Sequence, residues 1–158
     1  MDIRVVKEVN PKVDIVPVPR SPDYIRGLVN IRGQVALVMD LAVLFGHAPL
    51  TIGERSKIVI LKTAQEIERL RNTAGDIDSV GYSDKPTGIL VDRIADVIPV
   101  HNADLAAVPP HTSQSMARFV NGVVQLEKKL LIVLDAPEIL SNPEGKGKGD
   151  EAEGIEAE

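Results

Sequence analysis

The 158-residue chain contains no cysteine, which excludes disulfides, thiolate metal sites and thiol nucleophiles and is typical of a reducing compartment. It has no tryptophan and only two tyrosines and two phenylalanines, so few rings are available to stack on nucleic-acid bases or on sugars. No uninterrupted apolar run approaches the ~18 residues of a membrane span. The N-terminus also lacks the apolar core of a signal peptide. These absences predict a cytoplasmic protein without membrane insertion.

The chain has little excess charge outside its C-terminal end. The net charge of the whole chain is −5. Positions 144–158 contain six acids and two lysines, a net −4, so the remainder carries −1. Because nucleic-acid binding relies on cations that neutralise phosphates, this balance predicts no nucleic-acid partner. The segment 142–158 has almost no apolar content and is predicted to be a disordered acidic tail.

The hydrophobic residues that are present are aliphatic. They make up 44% of the chain, whereas aromatic residues make up only 3%. Runs of valine, isoleucine and leucine separated by turn residues are typical of β-strands. We therefore predict an all-β fold with two or three short helices and either one sizeable core or two small ones.

One internal repeat organises the sequence. The pattern at positions 24–29 (Tyr-Ile-Arg-Gly-Leu-Val) returns at 119–124 (Phe-Val-Asn-Gly-Val-Val), an offset of 95. Val-Met-Asp at 38–40 returns as Val-Leu-Asp at 133–135 with the same offset. A looser echo at offset 88 relates positions 8–9 to 96–97. Since loops absorb length changes that packed elements cannot, the repeat predicts two related subdomains.

The repeat also predicts a gap. The second copy contains two strand-like runs, at 56–61 and 88–92, that precede its echo at 96–97. Subtracting 88 from position 88 gives 0, so the first copy has no counterpart of either run. We expect the first subdomain to lack two strands, to be weakened, and to self-associate by exchanging strands with another copy.

Local signals mark one hairpin and three helix starts. Strands at 27–31 and 34–39 are predicted to pair across the turn Arg32-Gly33. Asp40 and Asp135 each follow a strand and precede a short helix, which is the position of an N-terminal cap. Thr63 and Glu66 have the spacing of a capping box and open a polar helix. The segment 63–87 is predicted to be a surface insertion.

Residue types that carry out catalysis are present but scattered. His47, His101 and His111 lie far apart in the sequence, which argues against a metal site. Asp40, Asp92 and Asp135 each follow an apolar run, and catalysis would require two of them to converge in a cleft. Our interpretation is that Asp40 and Asp135 cap helices and Asp92 ends a strand. We expect no enzymatic activity and no cofactor.

Arg32 is the side chain that the repeat does not explain. It lies in Asn-Ile-Arg-Gly at 30–33, where the second copy has Gln-Leu-Glu-Lys at 125–128. Duplication alone therefore did not require an arginine at this position. Arg32 is either a solvated turn residue or a forked donor held out for the carboxylates or carbonyls of a partner.

A longer combination of motifs runs through the chain. It consists of Val-Pro at 16–17, Pro-Asp-Tyr-Ile-Arg-Gly-Leu-Val-Asn-Ile-Arg-Gly at 22–33, Val-Met-Asp-Leu at 38–41, Gly-Ile-Leu-Val-Asp-Arg-Ile-Ala-Asp-Val at 88–97, Phe-Val-Asn-Gly-Val at 119–123 and the strand at 131–135. This combination resembles the chemotaxis coupling proteins of the CheW family. The resemblance spans positions 5–140, so 1–141 is interpreted as one CheW-like domain. It implies two five-stranded, SH3-like β-barrel subdomains, the first apparently without its opening strands.

The resemblance also implies partners. Members of the family are non-enzymatic adaptors, or scaffolds, in chemotaxis signal transduction. They bridge the cytoplasmic tips of chemoreceptors (methyl-accepting chemotaxis proteins) and the regulatory domain of the histidine kinase CheA. We accordingly expect protein–protein interaction within receptor arrays at the inner face of the membrane.

Four residues are carried over as protein-binding candidates. Arg32 matches the family arginine tied to receptor coupling, and Glu8 matches an acidic residue near it. Val6 and Asn30 lie on the same matched segments. The structural candidates are Gly27, Gly33, Asp40, Gly122 and Asp135.

The chain departs from the family pattern in two places, and two alternative functions stay open. The two strands that open family members are expected to be missing before Met1, and the segment 63–87 is longer than the usual link. One alternative is a CheW-like regulatory module of a kinase or of a response-regulator fusion. The other is a small-ligand-binding β-barrel, for which the weakly aromatic core gives no sign of a polar cavity. The absence of a phosphotransfer histidine helix, an ATP site and a receiver domain favours the standalone adaptor.

Overall fold

Aliphatic runs form seven strands in the part of the chain that the structure describes. The computed structural model describes residues 2–11, 14–74, 82–108, 114–127 and 129–141. The predicted tail, part of the predicted insertion (75–81) and His111 lie outside these residues. In chain order, the strands and α-helices are β1 (Val6–Asn10), β2 (Ile25–Ile31), β3 (Gln34–Asp40), α1 (Leu41–Leu44), β4 (Lys57–Leu61), α2 (Ala64–Ala74), β5 (Thr87–Val91), α3 (Gln114–Ala117), β6 (Val120–Gln125), β7 (Leu130–Leu134) and α4 (Ala136–Ser141).

The strands belong to two units. Five of them form one sheet in the order β1-β4-β5-β3-β2, which we call the first unit. All neighbours in it are antiparallel except β3 and β5, which run parallel. The antiparallel pair β6–β7, together with α4, forms the second unit. The prediction of a mostly β fold with two subdomains is confirmed, although neither unit closes into a barrel.

The internal repeat is present in the backbone pairing. An isolated bridge joins Val16 to Leu28 in the first unit, and its counterpart joins Ala106 to Val123 in the second. The sheet register shifts between Ile25 and Gly27 in β2, and between Val120 and Gly122 in β6. An equivalent backbone hydrogen bond lies at the end of the last strand in both copies. The Asp40 N–H donates to Tyr24 O and the Asp135 N–H donates to Phe119 O, each at 2.8 Å.

The open strand positions lie in the second unit, whereas the sequence led us to expect them in the first. β4 and β5 precede the second copy in sequence, yet they pair with β1 and β3 of the first. The physical reason is burial. β4 and β5 are buried along almost their whole length, which requires cover on both faces and a neighbour on both sides. The central position of the five-stranded sheet supplies both, so the part of the second unit that the structure describes has two strands.

Short helices begin where side chains satisfy their first N–H groups. Asp40 Oδ1 accepts the Ala42 N–H at 3.0 Å and starts α1, while Asp135 Oδ1 accepts the Glu138 N–H at 3.0 Å in α4. The capping box of α2 also forms, because the Thr63 N–H donates to Glu66 Oε2 at 2.9 Å. Among the described residues, no helix has the length and apolar content needed to span a membrane.

An aliphatic core holds the sheet, and a third cluster joins the two units. The core clusters on the sheet centre on β4 and β5 and include Val5, Val38 and Ile67. The third cluster brings Met39 of the first unit against Phe119 and Ile139 of the second. The Phe45 and Phe119 rings lie 5.7 Å apart between centroids, within the range of a favourable aromatic pair. The rarity of aromatic residues therefore does not prevent one ring pair from forming part of the contact between the units.

Candidate protein-binding site

The candidate site is built on the turn between β2 and β3. Arg32 and Gly33 form a two-residue connection, and both have positive φ angles, 51° and 84°. A hairpin turn with two positive φ values matches the twist of the flanking strands. The Asn30 side chain supports it, since Asn30 Oδ1 accepts the Gly33 N–H at 2.9 Å. The turn places the Arg32 side chain 85% exposed to solvent.

Arginine is an energetically unfavourable residue at this turn position. A residue with a Cβ held at positive φ costs about 1–2 kcal/mol relative to its ordinary conformation, and asparagine and glycine are the residues that turns of this type favour. We expect Arg32→Asn to leave the free energy of unfolding unchanged or to raise it by up to about 1 kcal/mol. Urea denaturation followed by circular dichroism measures this. A loss of more than about 1 kcal/mol would show that Arg32 stabilises the fold where it stands.

Glu8, on the edge strand β1, forms an ion pair with Arg32 at the end of the other edge strand, β2. Arg32 Nη2 lies 3.1 Å from Glu8 Oε2, although β1 and β2 are the two edge strands of the five-stranded order. The sheet therefore curls until its edges meet through side chains. A surface ion pair contributes only about 0–1 kcal/mol to stability. Its larger effect here is to orient the guanidinium group.

A bulge in β1 places two neighbouring side chains on this site. The register against β4 shifts between Val6 and Glu8, so Lys7 has no ladder partner. Lys7 Nζ donates to Gln34 Oε1 at 3.2 Å, next to the turn, while Glu8 reaches Arg32. The bulge thus allows consecutive residues of one strand to contact the same hairpin.

Lys7 also connects the site to α2. Its Nζ lies 2.7 Å from Glu66 Oε1. Burial favours the neutral acid at Glu66, but the hydrogen bonds from Lys7 and Thr63 and the charge of Lys7 outweigh it, so the pKa of Glu66 is lowered. Glu66 therefore stays ionised at neutral pH. The result is a band of alternating charge, which we call the hairpin band, made of Arg32, Glu8, Lys7 and Glu66.

The remaining carried-over residue, Val6, lies beneath the band. It is half-buried and packs against the core cluster that contains Val5 and Ile67. The structure thus brings Glu8, Asn30 and Arg32 together at the turn and places Val6 at the base of the same strand as Glu8. The binding roles of all four remain predictions.

Two glycines lie where a second chain segment crosses their strand. A Cβ built on Gly27, whose φ is +141°, would lie 2.2 Å from Val16 O. The equivalent Cβ on Gly122 would lie 3.0 Å from Ala106 O. Both crossings are the isolated bridges of the repeat, so the glycines permit the close approach that each unit uses.

Asp40 is a buried carboxylate at the end of β3 opposite the turn. Its side chain is 0% exposed. Beyond the cap to α1, Asp40 Oδ2 accepts the Leu50 N–H at 2.9 Å and a hydrogen bond from Arg26 Nη1 at 3.2 Å. Asp40 therefore secures β2, the start of α1 and the following loop together.

The aspartates that we considered for catalysis have different surroundings. Asp40 is buried and fully engaged, Asp92 is exposed, and Asp135 caps α4. Among the described residues, no group of three or more histidine, aspartate or glutamate side chains is placed to hold a metal ion.

Sequence reasoning missed three members of the site. Lys7 and Gln34 were not singled out, and Glu66 was seen only as part of a capping box. The contact of Lys7 with Glu66 joins residues 59 positions apart, which no local pattern reports. The alternation of charge at Lys7-Glu8 was the one available signal, and it indicates only an exposed strand face.

Comparisons with known proteins give a consistent result. Residues 1–144 match the family described as CheW-like domain. "Chemotaxis protein CheW" of Treponema pallidum is 29% identical over 144 residues, which cover 91% of this chain and 76% of that protein. The protein of the same name from Thermotoga maritima is 26% identical over 140 residues, covering 88% and 78%. The crystal structure of the scaffolding protein TtCheW from Thermoanaerobacter tengcongensis superposes with a TM-score of 0.64 at 27% identity, covering 85% of this chain and 75% of that one.

Proposed function

The chain belongs to the CheW-like domain family of chemotaxis coupling adaptors, and we propose that it joins chemoreceptor cytoplasmic tips to the regulatory domain of the histidine kinase CheA without catalysing a reaction. In this role it acts in the cytoplasm, within receptor arrays at the inner face of the membrane. The observation that carries the proposal is the hairpin band, where an arginine is presented in a costly backbone conformation.

The geometry of Arg32 suits recognition of a partner carboxylate. A guanidinium group offers five N–H donors in a planar fork, and one of its nitrogens, Nη2, is within reach of Glu8. The rest of the fork points into solvent, since the side chain is 85% exposed. We infer that Arg32 binds acidic side chains on the receptor tip. Because Glu8 already restricts the rotamers of Arg32, less side-chain entropy is lost when Arg32 binds.

Charge reversal at Arg32 tests this role. We expect Arg32→Glu to weaken binding to a soluble receptor signalling fragment by about 10- to 100-fold, because it removes the donors and places like charges together. Isothermal titration calorimetry or co-sedimentation with receptor arrays measures the change. Since Arg32 adds little to stability, thermal unfolding of the variant should match that of the wild type.

Arg20 provides a matched control. It is also an exposed arginine at positive φ, 62°, in a turn. Arg20→Glu makes the same charge change outside the hairpin band and should leave binding within about 2-fold. Equal losses from Arg20→Glu and Arg32→Glu would mean that net charge governs binding, and no loss from Arg32→Glu would refute the assignment. The double variant Glu8→Arg with Arg32→Glu restores the ion pair but leaves no guanidinium donor at position 32. We expect it to bind as weakly as Arg32→Glu alone.

A further inference from the structure

The helix α2 lies beside the turn between β2 and β3 and is not needed to connect the strands around it. β4 and β5 are antiparallel neighbours, and Leu61 at the end of one pairs with Thr87 at the start of the other. Antiparallel neighbours can be joined by a two-residue turn. The positions between them, 62–86, contain α2. α2 is therefore an addition to the sheet, and its side chains can serve another role.

The core fixes α2 in one place. Ile67 is 0% exposed and packs in the cluster that contains Val5. Glu66, the residue before it, is held at both carboxylate oxygens. Its Oε2 accepts the Thr63 N–H at 2.9 Å, and its Oε1 lies 2.7 Å from Lys7 Nζ. The helix thus holds a carboxylate at the end of the hairpin band.

Glu66 controls the charge that the hairpin band presents. Lys7 Nζ donates to Gln34 Oε1 at 3.2 Å, so its ammonium group lies next to the turn that carries Arg32. Glu66 is ionised at neutral pH, since its pKa is lowered, and it pairs directly with this ammonium group. The band therefore contains two cations and two anions. Without the carboxylate of Glu66, the same surface would carry an excess positive charge.

We propose that Glu66 is a specificity-determining residue, which limits the site to a receptor segment that brings a single carboxylate to Arg32. A segment with further acidic side chains toward α2 would meet Lys7 already paired and the carboxylate of Glu66 beside it. Like charges brought together at an interface lower the affinity. The inference rests on the proposed contact of Arg32 with the receptor, and it specifies the charge pattern of that partner.

A purely structural role for the same contact predicts the opposite sign. Lys7 links Gln34 of the hairpin to Glu66 of α2. If this link served only to hold the hairpin in place, its loss would weaken binding. Removal of a repelling anion strengthens binding to an acidic partner instead. The direction of the change in affinity therefore separates the two roles.

Glu66→Gln tests the sign. Glutamine also serves in capping boxes, so its amide oxygen can replace the carboxylate at the Thr63 N–H. We expect the dissociation constant for a soluble receptor signalling fragment, measured by isothermal titration calorimetry, to fall by about 3- to 10-fold. The gain should be larger in about 0.01 M salt than in about 0.15 M, where the Debye lengths are about 30 and 8 Å. Weaker binding, or a gain that salt does not change, overturns the proposal.

Glu68→Gln is the matched control for Glu66→Gln. It makes the same change of charge on the same helix, but Glu68 lies 3.6 Å from Arg71 and is not part of the hairpin band. We expect this variant to bind within about 2-fold of the wild type. Equal gains from the two variants would assign the effect to net charge and overturn the role of Glu66.

A charge-balanced double variant separates charge from loss of the link. Lys7→Gln leaves the band with an excess negative charge and should weaken binding by about 3- to 10-fold. Lys7→Gln combined with Glu66→Gln again has equal numbers of cations and anions, and it should bind within about 2-fold of the wild type although the link is gone. If the double variant binds as weakly as Lys7→Gln alone, the contact acts by holding the hairpin and the proposal fails.

A short poly-glutamate peptide, used as a competitor of the receptor fragment, measures the selectivity. Glu66→Gln should strengthen inhibition by this peptide more than it strengthens binding of the fragment, because the peptide brings several carboxylates to the band at once. Equal gains for the two ligands would show that Glu66 does not select against additional acids.

Arg32→Glu distinguishes a failure of this inference from a failure of the proposed function. If Arg32→Glu leaves receptor binding unchanged, the receptor contact itself is wrong and the role of Glu66 falls with it. If Arg32→Glu weakens binding but Glu66→Gln does not strengthen it, the receptor contact stands and only the role of Glu66 is refuted.

Discussion

Replacing Asp40 with alanine is expected to lower the free energy of unfolding by about 3–5 kcal/mol. The carboxylate is fully buried and accepts hydrogen bonds from Ala42, Leu50 and Arg26. Alanine would leave two backbone N–H groups and a half-buried guanidinium group without their acceptor. Breaking one partner of a buried pair costs more than the pair itself contributes, because the remaining charge stays desolvated.

Asp135 is the control that the repeat supplies. It caps α4 through the Glu138 N–H, and the position equivalent to Arg26 is the exposed Asn121. Asp135→Ala should therefore cost only the cap, about 0.5–2 kcal/mol. Urea denaturation of both variants measures the difference. Equal losses at the two positions would contradict the view that Asp40 is a hub and Asp135 a cap.

Gly27→Ala is expected to destabilise the first unit by at least about 3 kcal/mol. The added Cβ would lie 2.2 Å from Val16 O and 2.8 Å from Ile15 Cγ2, so the crossing segment must move away from β2. The φ of +141° adds backbone strain for any residue with a side chain. The bridge between Val16 and Leu28, with both of its hydrogen bonds at 2.8 Å, should be lost.

Two glycines without a positive φ serve as controls, because they differ in how closely other atoms would approach an added Cβ. Gly122→Ala meets Ala106 O at 3.0 Å and the Leu105 side chain at 3.1 Å, and should cost about 1–3 kcal/mol. Gly53→Ala meets nothing within 4 Å and should stay within about 0.5 kcal/mol. Thermal unfolding with amide exchange at Leu28 checks the series. Comparable losses at Gly27 and Gly53 would refute the crossing as the cause.

The sequence predicted what depends on neighbouring residues. The hairpin across Arg32-Gly33, the caps at Asp40 and Asp135, and the capping box of α2 each use a signal within a few residues, and all of them form. The repeat is also visible in the sequence, because two separate motifs recur with the same offset of 95 residues.

The sequence did not predict what depends on distant pairing. The strands at 56–61 and 88–92 were placed correctly along the chain, but their partners were not, since strand patterns contain no information about which edge a strand joins. The same limit hid Lys7 and Gln34. The link between Glu8 and Arg32 came only from the family resemblance, because 24 residues and two sheet edges separate them.

The parallel pairing of β3 with β5 has a consequence for synthesis on the ribosome. β3 ends at Asp40, but the strand that covers its side is complete only at Val91. At about 5–20 residues per second, the nascent chain spends several seconds with β1, β2 and β3 made and their central neighbours still absent. During that interval the aliphatic face of the early hairpin lacks the cover of β4 and β5. The protein therefore does not divide into two independently folding halves at the boundary between the two sequence copies.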